Sequence, residues 1–248
     1  MATSALMWTT LADTLAYAIA LAISPFAITT AIVLLLGDRG PLRASLFGVG
    51  WWTTLFAITM LSWWLVDSAD EENPQDTADG ISIGKLVFAG LFFLLAAIAW
   101  LKRRKGGPDG AQAPAEYLET EFGVPTASAK PGLLDRLDGV SVLGCFGLGL
   151  AQGVIVFKNI PLGISAGATL GTEDLNIPET FLAAAIFTLI ASIGVIVPVT
   201  VALVAGDRVI GPLRRAREWI EAHLTPISIV LFAVLGVYYL YEGIESVL

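Results

Sequence analysis

Six long apolar segments constrain this chain more than any other feature of its sequence. Each is long enough to cross a bilayer, which takes about 20 predominantly apolar residues. The composition agrees, because 56% of the 248 residues are hydrophobic and the mean hydropathy is +0.76, as in polytopic membrane proteins. We therefore predict an all-α integral membrane protein with six transmembrane helices. The segments lie roughly at 8–36, 44–66, 81–101, 140–171, 181–205 and 226–248.

The basic residues predict how these segments are oriented. The stretches after the first, third and fifth segments contain 12 of the 14 Lys and Arg residues. The stretches at 67–80 and 172–179 contain acidic residues and neither Lys nor Arg. Because basic loops are retained in the cytoplasm, we predict a multi-pass protein of the cytoplasmic (inner) membrane with both termini external. The first segment is too long for a cleaved signal peptide, so we expect it to be retained.

The stretch at 102–138 divides the chain into two halves. It is rich in Gly, Pro, Ala and charged residues, which is typical of a flexible linker. With external termini, the three segments of 139–248 run inverted relative to those of 1–101. Two inverted three-helix repeats are a common plan among transporters, with the site at the repeat interface. A docking segment for a cytoplasmic partner is the alternative role of the linker.

The fourth segment contains a charge near its middle, at Lys158. A charge there costs at least about 2.5–3.5 kcal/mol, so it should face protein or water and have a function. Asn159 adds two donors and an acceptor. Pro161 lacks a backbone N–H and should kink or break the helix. The small residues that follow would let a ligand or another helix approach closely.

The first segment has a similar pattern, which supports the repeat. Pro25 is followed by a bulky residue, a small residue, Ile and a hydroxyl residue, and so is Pro161. Two interrupted helices in matching positions indicate a transport site. Asp13 lies at shallower depth, and whether it pairs with Lys158 is left open. The predicted substrate-binding residues are Lys158, Asn159, Pro161, Ser165, Pro25, Thr29, Thr30 and Gln152.

A second candidate region precedes the sixth segment. Between residues 208 and 224, apolar residues recur at roughly helical spacing, which predicts an amphipathic helix on the cytoplasmic surface. Its basic residues would contact anionic lipid head groups, or the helix would only anchor the neighbouring segments. The head-group contacts predicted there are Arg214, Arg215 and Arg217.

Several classes of function find no support in the sequence. One Cys and one His, Cys145 and His223, make neither a metal site nor a thiol–disulfide relay. No phosphate-binding Gly-Lys-Ser/Thr loop is present, so the chain does not itself hydrolyse nucleotide. We predict no enzyme activity, catalytic residue, metal or cofactor, and no nucleic-acid partner. Small-residue faces on the second and fourth segments permit a homodimer without requiring one.

The chain resembles a known family. The similarity is carried by Pro25, by Lys158-Asn159 with Ala166-Gly167-Ala168, and by Pro198, Trp219 and Gly236. Together these residues resemble the Sap/GAP family, the sulfolipid- and peptidoglycolipid-addressing proteins of actinobacteria. That family is placed in the lysine-exporter (LysE) superfamily, whose members are similar in having two inverted helix triplets. The superfamily tends to have an Asn-Pro break in the fourth helix, whereas here Ile160 separates Asn159 from Pro161.

The resemblance implies a role in moving a cell-envelope glycolipid or related lipid across the inner membrane. Its partners would be anionic or glycosylated lipids and a larger transporter that supplies energy. By position, Lys158 and Asn159 would bind the head group, while Pro25 and Pro161 open the helices around it. Two alternatives stay open at this point. One is a LysE-like exporter of an amino acid or ion, and the other is a non-transporting accessory subunit of a lipid export or synthesis complex.

Overall fold

The computed structural model describes residues 2–105 and 140–245. Within those ranges the backbone forms nine α-helices and a short 3-10 helix at Gly206–Val209, without strands, which confirms the all-α prediction there. The predicted linker lies outside the described residues except for its beginning, which ends the fourth helix. The helices are α1 Ala2–Ala22, α2 Pro25–Leu36, α3 Gly40–Glu72, α4 Pro74–Lys105, α5 Val142–Ile155, α6 Asn159–Gly171, α7 Ile177–Ala191, α8 Ile193–Ala205 and α9 Ile210–Glu245.

Three of the described helices, α3, α4 and α9, are each long and apolar enough to cross a membrane alone. The other six form three bent pairs. The bend is 55° between α1 and α2, 79° between α5 and α6, and 68° between α7 and α8. Each pair counted as one broken span brings the total to six, which is the predicted number. The chain is thus a multi-pass membrane protein, while its inverted symmetry, orientation and target membrane stay predictions.

The break in the first span lies where the sequence predicts it. Helix α1 ends at Ala22, and α2 begins at Pro25 with Ser24 as the preceding residue in an extended conformation. Proline fits the first position of a helix because the N–H that it lacks would have no intrahelical partner there. Pro25 therefore begins a helix instead of kinking one.

The break in the fourth span lies before the proline that predicted it. Helix α5 ends at Ile155 and α6 begins at Asn159, so the turn consists of residues 156–158. Pro161 lies in the first turn of α6, where a missing N–H costs no helical hydrogen bond. The structure confirms a break in this segment. The break lies at Lys158 and the two residues before it, and not at Pro161.

The break in the fifth span was not predicted. Helices α7 and α8 meet at Ser192, whereas Pro198 lies inside α8 without ending it. A Cβ added at Gly194 would lie 2.2 Å from the carbonyl oxygen of Ala22, the last residue of α1. The first turn of α8 thus packs against the break in the first span, and only glycine permits that approach.

Two predicted surface segments belong to longer helices. Helix α3 continues to Glu72 and α4 begins at Pro74, so most of the predicted loop at 67–80 is helical. The predicted amphipathic helix at 208–224 is helical from Ile210, but it continues without interruption through Pro226 to Glu245. It is therefore the first part of the sixth span and not a separate helix.

Glycines hold α3 against α5 and α6. A Cβ added at Gly50 would lie 2.2 Å from the carbonyl oxygen of Phe146, and one added at Gly167 would lie 2.4 Å from that of Thr59. Such backbone contact between membrane helices depends on small residues at the interface. Elsewhere α4 packs on α9, α1 on α6 and α7, and α2 on α8 and α9. The other glycines that contact α3 are Gly149, Gly153, Gly163 and Gly171.

Candidate functional site

Lys158 lies at the bend between α5 and α6, inside the bundle. Its side chain is buried, with 3% of the residue exposed. The ammonium Nζ donates hydrogen bonds to the carbonyl oxygens of Ala20 at 2.7 Å and Leu21 at 3.2 Å. Both carbonyls belong to the last turn of α1. The predicted intramembrane cation is therefore bound by the chain's own backbone.

This contact joins the two predicted breaks. The last carbonyls of a helix have no intrahelical partner and carry partial negative charge, so a cation stabilises them. Lys158 supplies that cation from the turn of another broken span. We call the group formed by Ala20, Leu21, Ser24, Lys158 and Asn159 the break junction. It connects the first half of the chain to the second within an apolar bundle.

Asn159 connects the break junction to the end of α5. It is fully buried, and its Nδ2 donates to the carbonyl oxygen of Gly153 in the last turn of α5 at 2.9 Å. The first residue of α6 thus caps the helix before it.

Gln152 adds a second polar link between the halves. Its Nε2 donates to Thr30 Oγ1 at 3.1 Å, which joins α5 to α2. Gln152 and Thr29 are both buried, with 2% exposed each. Several acceptor and hydroxyl groups in this region have no hydrogen-bond partner in the described part of the chain, which is unusual for buried polar atoms. They are Ser24 Oγ, Thr29 Oγ1, Gln152 Oε1 and Asn159 Oδ1.

Ser165 belongs to a different polar group, further along α6. Its hydroxyl lies 2.9 Å from Tyr239 Oη on α9. Tyr239 packs edge-on against Phe88 of α4, with ring centroids 5.7 Å apart. The predicted site residues therefore divide into two groups. Ser165, although it also lies on α6, contacts Tyr239 of α9, and the other predicted residues lie on α2, α5, the turn before α6 and its first turn: Pro25, Thr29, Thr30, Gln152, Lys158, Asn159 and Pro161.

The predicted head-group arginines lie on the first part of α9. Arg214 and Arg215 are exposed, whereas Arg217 is partly buried and its Nε lies 2.6 Å from Glu221 Oε1. Arg214 and Arg217 line a cavity of about 460 Å³ beside Leu36 and Gly37 at the end of α2. Arg215 is outside that cavity, so the three arginines do not form one site.

Comparison with known proteins gives the family. A protein-family model described as Sap, sulfolipid-1-addressing protein, matches residues 14–245. The chain belongs to this Sap family. Neither the curated proteins nor the solved structures contain a match. The family match covers the nine α-helices of the described residues apart from the beginning of α1, and so includes both bent helix pairs at the break junction.

One polar network of the Sap chain was not predicted from the sequence. Lys85 Nζ on α4 lies 3.0 Å from Glu242 Oε2 on α9, and Tyr17 Oη on α1 donates to the same oxygen at 2.5 Å. The sequence contains a signal for it, because Lys85 and Glu242 are opposite charges at the predicted external ends of the third and sixth segments. Asp13, in contrast, is exposed, and Lys158 contacts backbone carbonyls instead of that carboxylate.

Replacing Arg214 and Arg215 together by glutamine is expected to weaken retention of anionic lipid. Each basic residue near an anionic leaflet is worth about 1 kcal/mol, so the double variant should retain several-fold less phosphatidylglycerol. Arg217→Gln is the matched control, because Glu221 already engages that guanidinium. Native mass spectrometry of the purified variants measures the retained lipid. Equal losses in both variants would argue against a head-group role for Arg214 and Arg215.

Proposed function

We propose that this Sap chain moves a glycolipid of the cell envelope across the cytoplasmic membrane, and that the break junction is the part that changes shape. The single observation that carries the proposal is the pair of hydrogen bonds from Lys158 to Ala20 and Leu21. A buried ammonium costs free energy within a membrane, and here it joins two broken spans. Discontinuous helices that meet at mid-depth are the usual architecture of secondary transporters.

The pairing of spans supports an inverted repeat. A two-fold axis that relates the halves would exchange the first span with the fourth, the second with the fifth and the third with the sixth. Helix α3 packs on α5 and α6, the α1–α2 span packs on α7 and α8, and α4 packs on α9. The axis would convert the first of these pairings into the second and map the third onto itself, so the three pairings are compatible with such symmetry. Relative movement of the halves would then act on the break junction, which lies between them.

The unpartnered polar atoms near the break junction support passage of a hydroxylated head group. Gln152 Oε1, Asn159 Oδ1 and Thr29 Oγ1 are acceptors without a partner in the described part of the chain. A head group that carries hydroxyls donates to such atoms and so lowers the cost of crossing an apolar region. Head-group binding by Lys158 itself stays a prediction, because it requires the ammonium to leave the carbonyls of α1.

Removal and restoration of the gene in its native host test this proposal against its alternatives. We expect the strain without the chain to retain glycolipid in the cytoplasmic membrane and to expose less at the cell surface, and the restored gene to reverse both. Unchanged surface lipid together with reduced export of an amino acid would favour a LysE-like solute exporter. Loss of the glycolipid from every fraction would favour an accessory subunit of a synthesis complex.

A further inference from the structure

A second cavity lies away from the break junction, between the end of α3, the beginning of α4 and the middle of α6. Its volume is about 530 Å³, within the range of about 300–1,000 Å³ typical of small-ligand sites. We call it the hairpin groove. The residues that line it include Asn73, Asp76, Lys85, Phe88, Ile164 and Ser165.

Polar and apolar side chains both line the hairpin groove. Asn73, Asp76 and Thr77 lie around the turn between α3 and α4, and Phe88 and Ile164 lie toward the other end, beside Lys85 and Ser165. Thr77 and Phe88 are 11 residues apart on one helix, which corresponds to about 16 Å. Ile164 is 37% exposed on α6. A site with charged side chains beside apolar ones fits an amphiphile.

The charges of the hairpin groove favour a neutral head group. Lys85 is already paired with Glu242 at 3.0 Å, and Glu242 also accepts from Tyr17. Asp76 accepts from Asn73 Nδ2 at 2.5 Å, and that amide brings no positive charge to the carboxylate. An anionic head group would face Asp76 and gain little from a lysine whose charge is compensated.

Sugar hydroxyls match the polar groups that line the hairpin groove. A hydroxyl both donates and accepts, so one hydroxyl of the sugar can donate to the Asp76 carboxylate and a different one can accept from the Lys85 ammonium. Neither contact requires the Lys85–Glu242 pair to separate. Phe88 adds an aromatic face at the depth where the sugar of a glycolipid would join the alkyl chains of that lipid.

We propose that the hairpin groove binds the sugar head group of a neutral glycolipid, whose alkyl chains run past Phe88 and Ile164. This inference rests on the proposed function, from which we take that the sugar belongs to a lipid. It adds that the head group of that lipid is neutral. Ser165 connects the groove to the rest of the protein, because it lines the groove and its hydroxyl lies 2.9 Å from Tyr239 Oη. A bound lipid would therefore contact α4 and α6, which belong to different halves.

Blocking the hairpin groove tests the site directly. A Cβ added at Gly84 meets no heavy atom within 4 Å, and Gly84 lines the groove, so Gly84→Trp is expected to place an indole in the groove. Gly90→Trp is the matched control, because Gly90 lies on the same helix with equally open space but not in the groove. Native mass spectrometry with monoglucosyl diacylglycerol should show at least tenfold weaker binding to Gly84→Trp and unchanged binding to Gly90→Trp.

Reversing one charge tests the class of ligand. Asp76→Lys should bind the glucolipid less tightly and phosphatidylglycerol more tightly than wild type does, whereas Asp79→Lys, outside the groove on the same helix, should change neither. Wild type should prefer the glucolipid over phosphatidylglycerol by at least tenfold. A preference for phosphatidylglycerol, equal binding by the two tryptophan variants, or equal affinity for free methyl glucoside would overturn the proposal. Binding without lipid movement would contradict the proposed function and leave this site intact.

Discussion

Replacing Lys158 by methionine is expected to stop lipid movement while the fold persists. Methionine is of similar length and apolar, so the substitution leaves no large cavity. It also removes the cost of a buried charge, and replacing buried ions by apolar side chains is often neutral or stabilising. The carbonyls of Ala20 and Leu21 lose their cation, however, and the two broken spans lose the contact that joins them. We expect the rate of glycolipid movement to fall at least tenfold, equivalent to about 1.4 kcal/mol or more.

Two further variants separate the charge from the packing at this position. Lys158→Glu places a negative charge beside two carbonyl oxygens and should destabilise the fold by about 3–5 kcal/mol, the typical cost of an uncompensated buried charge. Val154→Met is the control, since Val154 is 52% exposed on the same span and lies outside the break junction. Thermal unfolding in detergent and lipid movement in vesicles are measured on all three variants. Normal lipid movement by Lys158→Met would mean that the contact is structural only.

Replacing Gly167 by leucine is expected to destabilise the fold strongly by overpacking. Its Cβ alone would lie 2.4 Å from the carbonyl oxygen of Thr59, 2.6 Å from Ser62 Cβ and 2.9 Å from the amide nitrogen of Trp63. Two of these three atoms are backbone, so no side-chain rotation relieves the overlap and α3 must move away from α6. Overpacking usually costs about 1–3 kcal/mol, and we expect about 3 kcal/mol or more here.

Gly147→Leu is the matched control for that prediction. Gly147 lies on α5, is exposed, and has no heavy atom within 4 Å of an added Cβ. The same leucine there should leave the protein monodisperse on gel filtration and should change the unfolding temperature little. If both leucine variants unfold at the wild-type temperature, α3 does not pack on α6 as described.

Much of the fold could be predicted because membrane spans depend on composition over long windows. The apolar segments predict the helices that are able to span a membrane, and Pro25 marks the first break because proline prefers the first turn of a helix. The break at Ser192 is different. It depends on Gly194 meeting the carbonyl oxygen of Ala22, a contact between residues far apart in sequence. No local pattern in the fifth segment reports such a contact.

The candidate site shows the same division. The position of Lys158 inside an apolar segment predicts a buried functional cation, and the structure buries it. Its partners are main-chain carbonyls, and every residue has one, so the sequence gives no indication of which carbonyls they are. The hairpin groove was missed because α3 and α4 extend as helices into the stretch that its polar composition predicted to be a loop. From the sequence alone, polar residues at the end of a span could form either a loop or a further turn of helix that lines a groove.

The rate of glycolipid movement in vesicles shows whether this chain itself moves lipid across a bilayer. Purified wild-type protein is reconstituted into phosphatidylcholine vesicles that contain a small fraction of fluorescent monoglucosyl diacylglycerol in both leaflets. Dithionite added outside then bleaches the lipid that reaches the outer leaflet. We predict that wild type brings inner-leaflet glycolipid to the surface at least tenfold faster than protein-free vesicles do, and that Lys158→Met does not. A wild-type rate equal to that of protein-free vesicles would mean that the chain does not move this lipid.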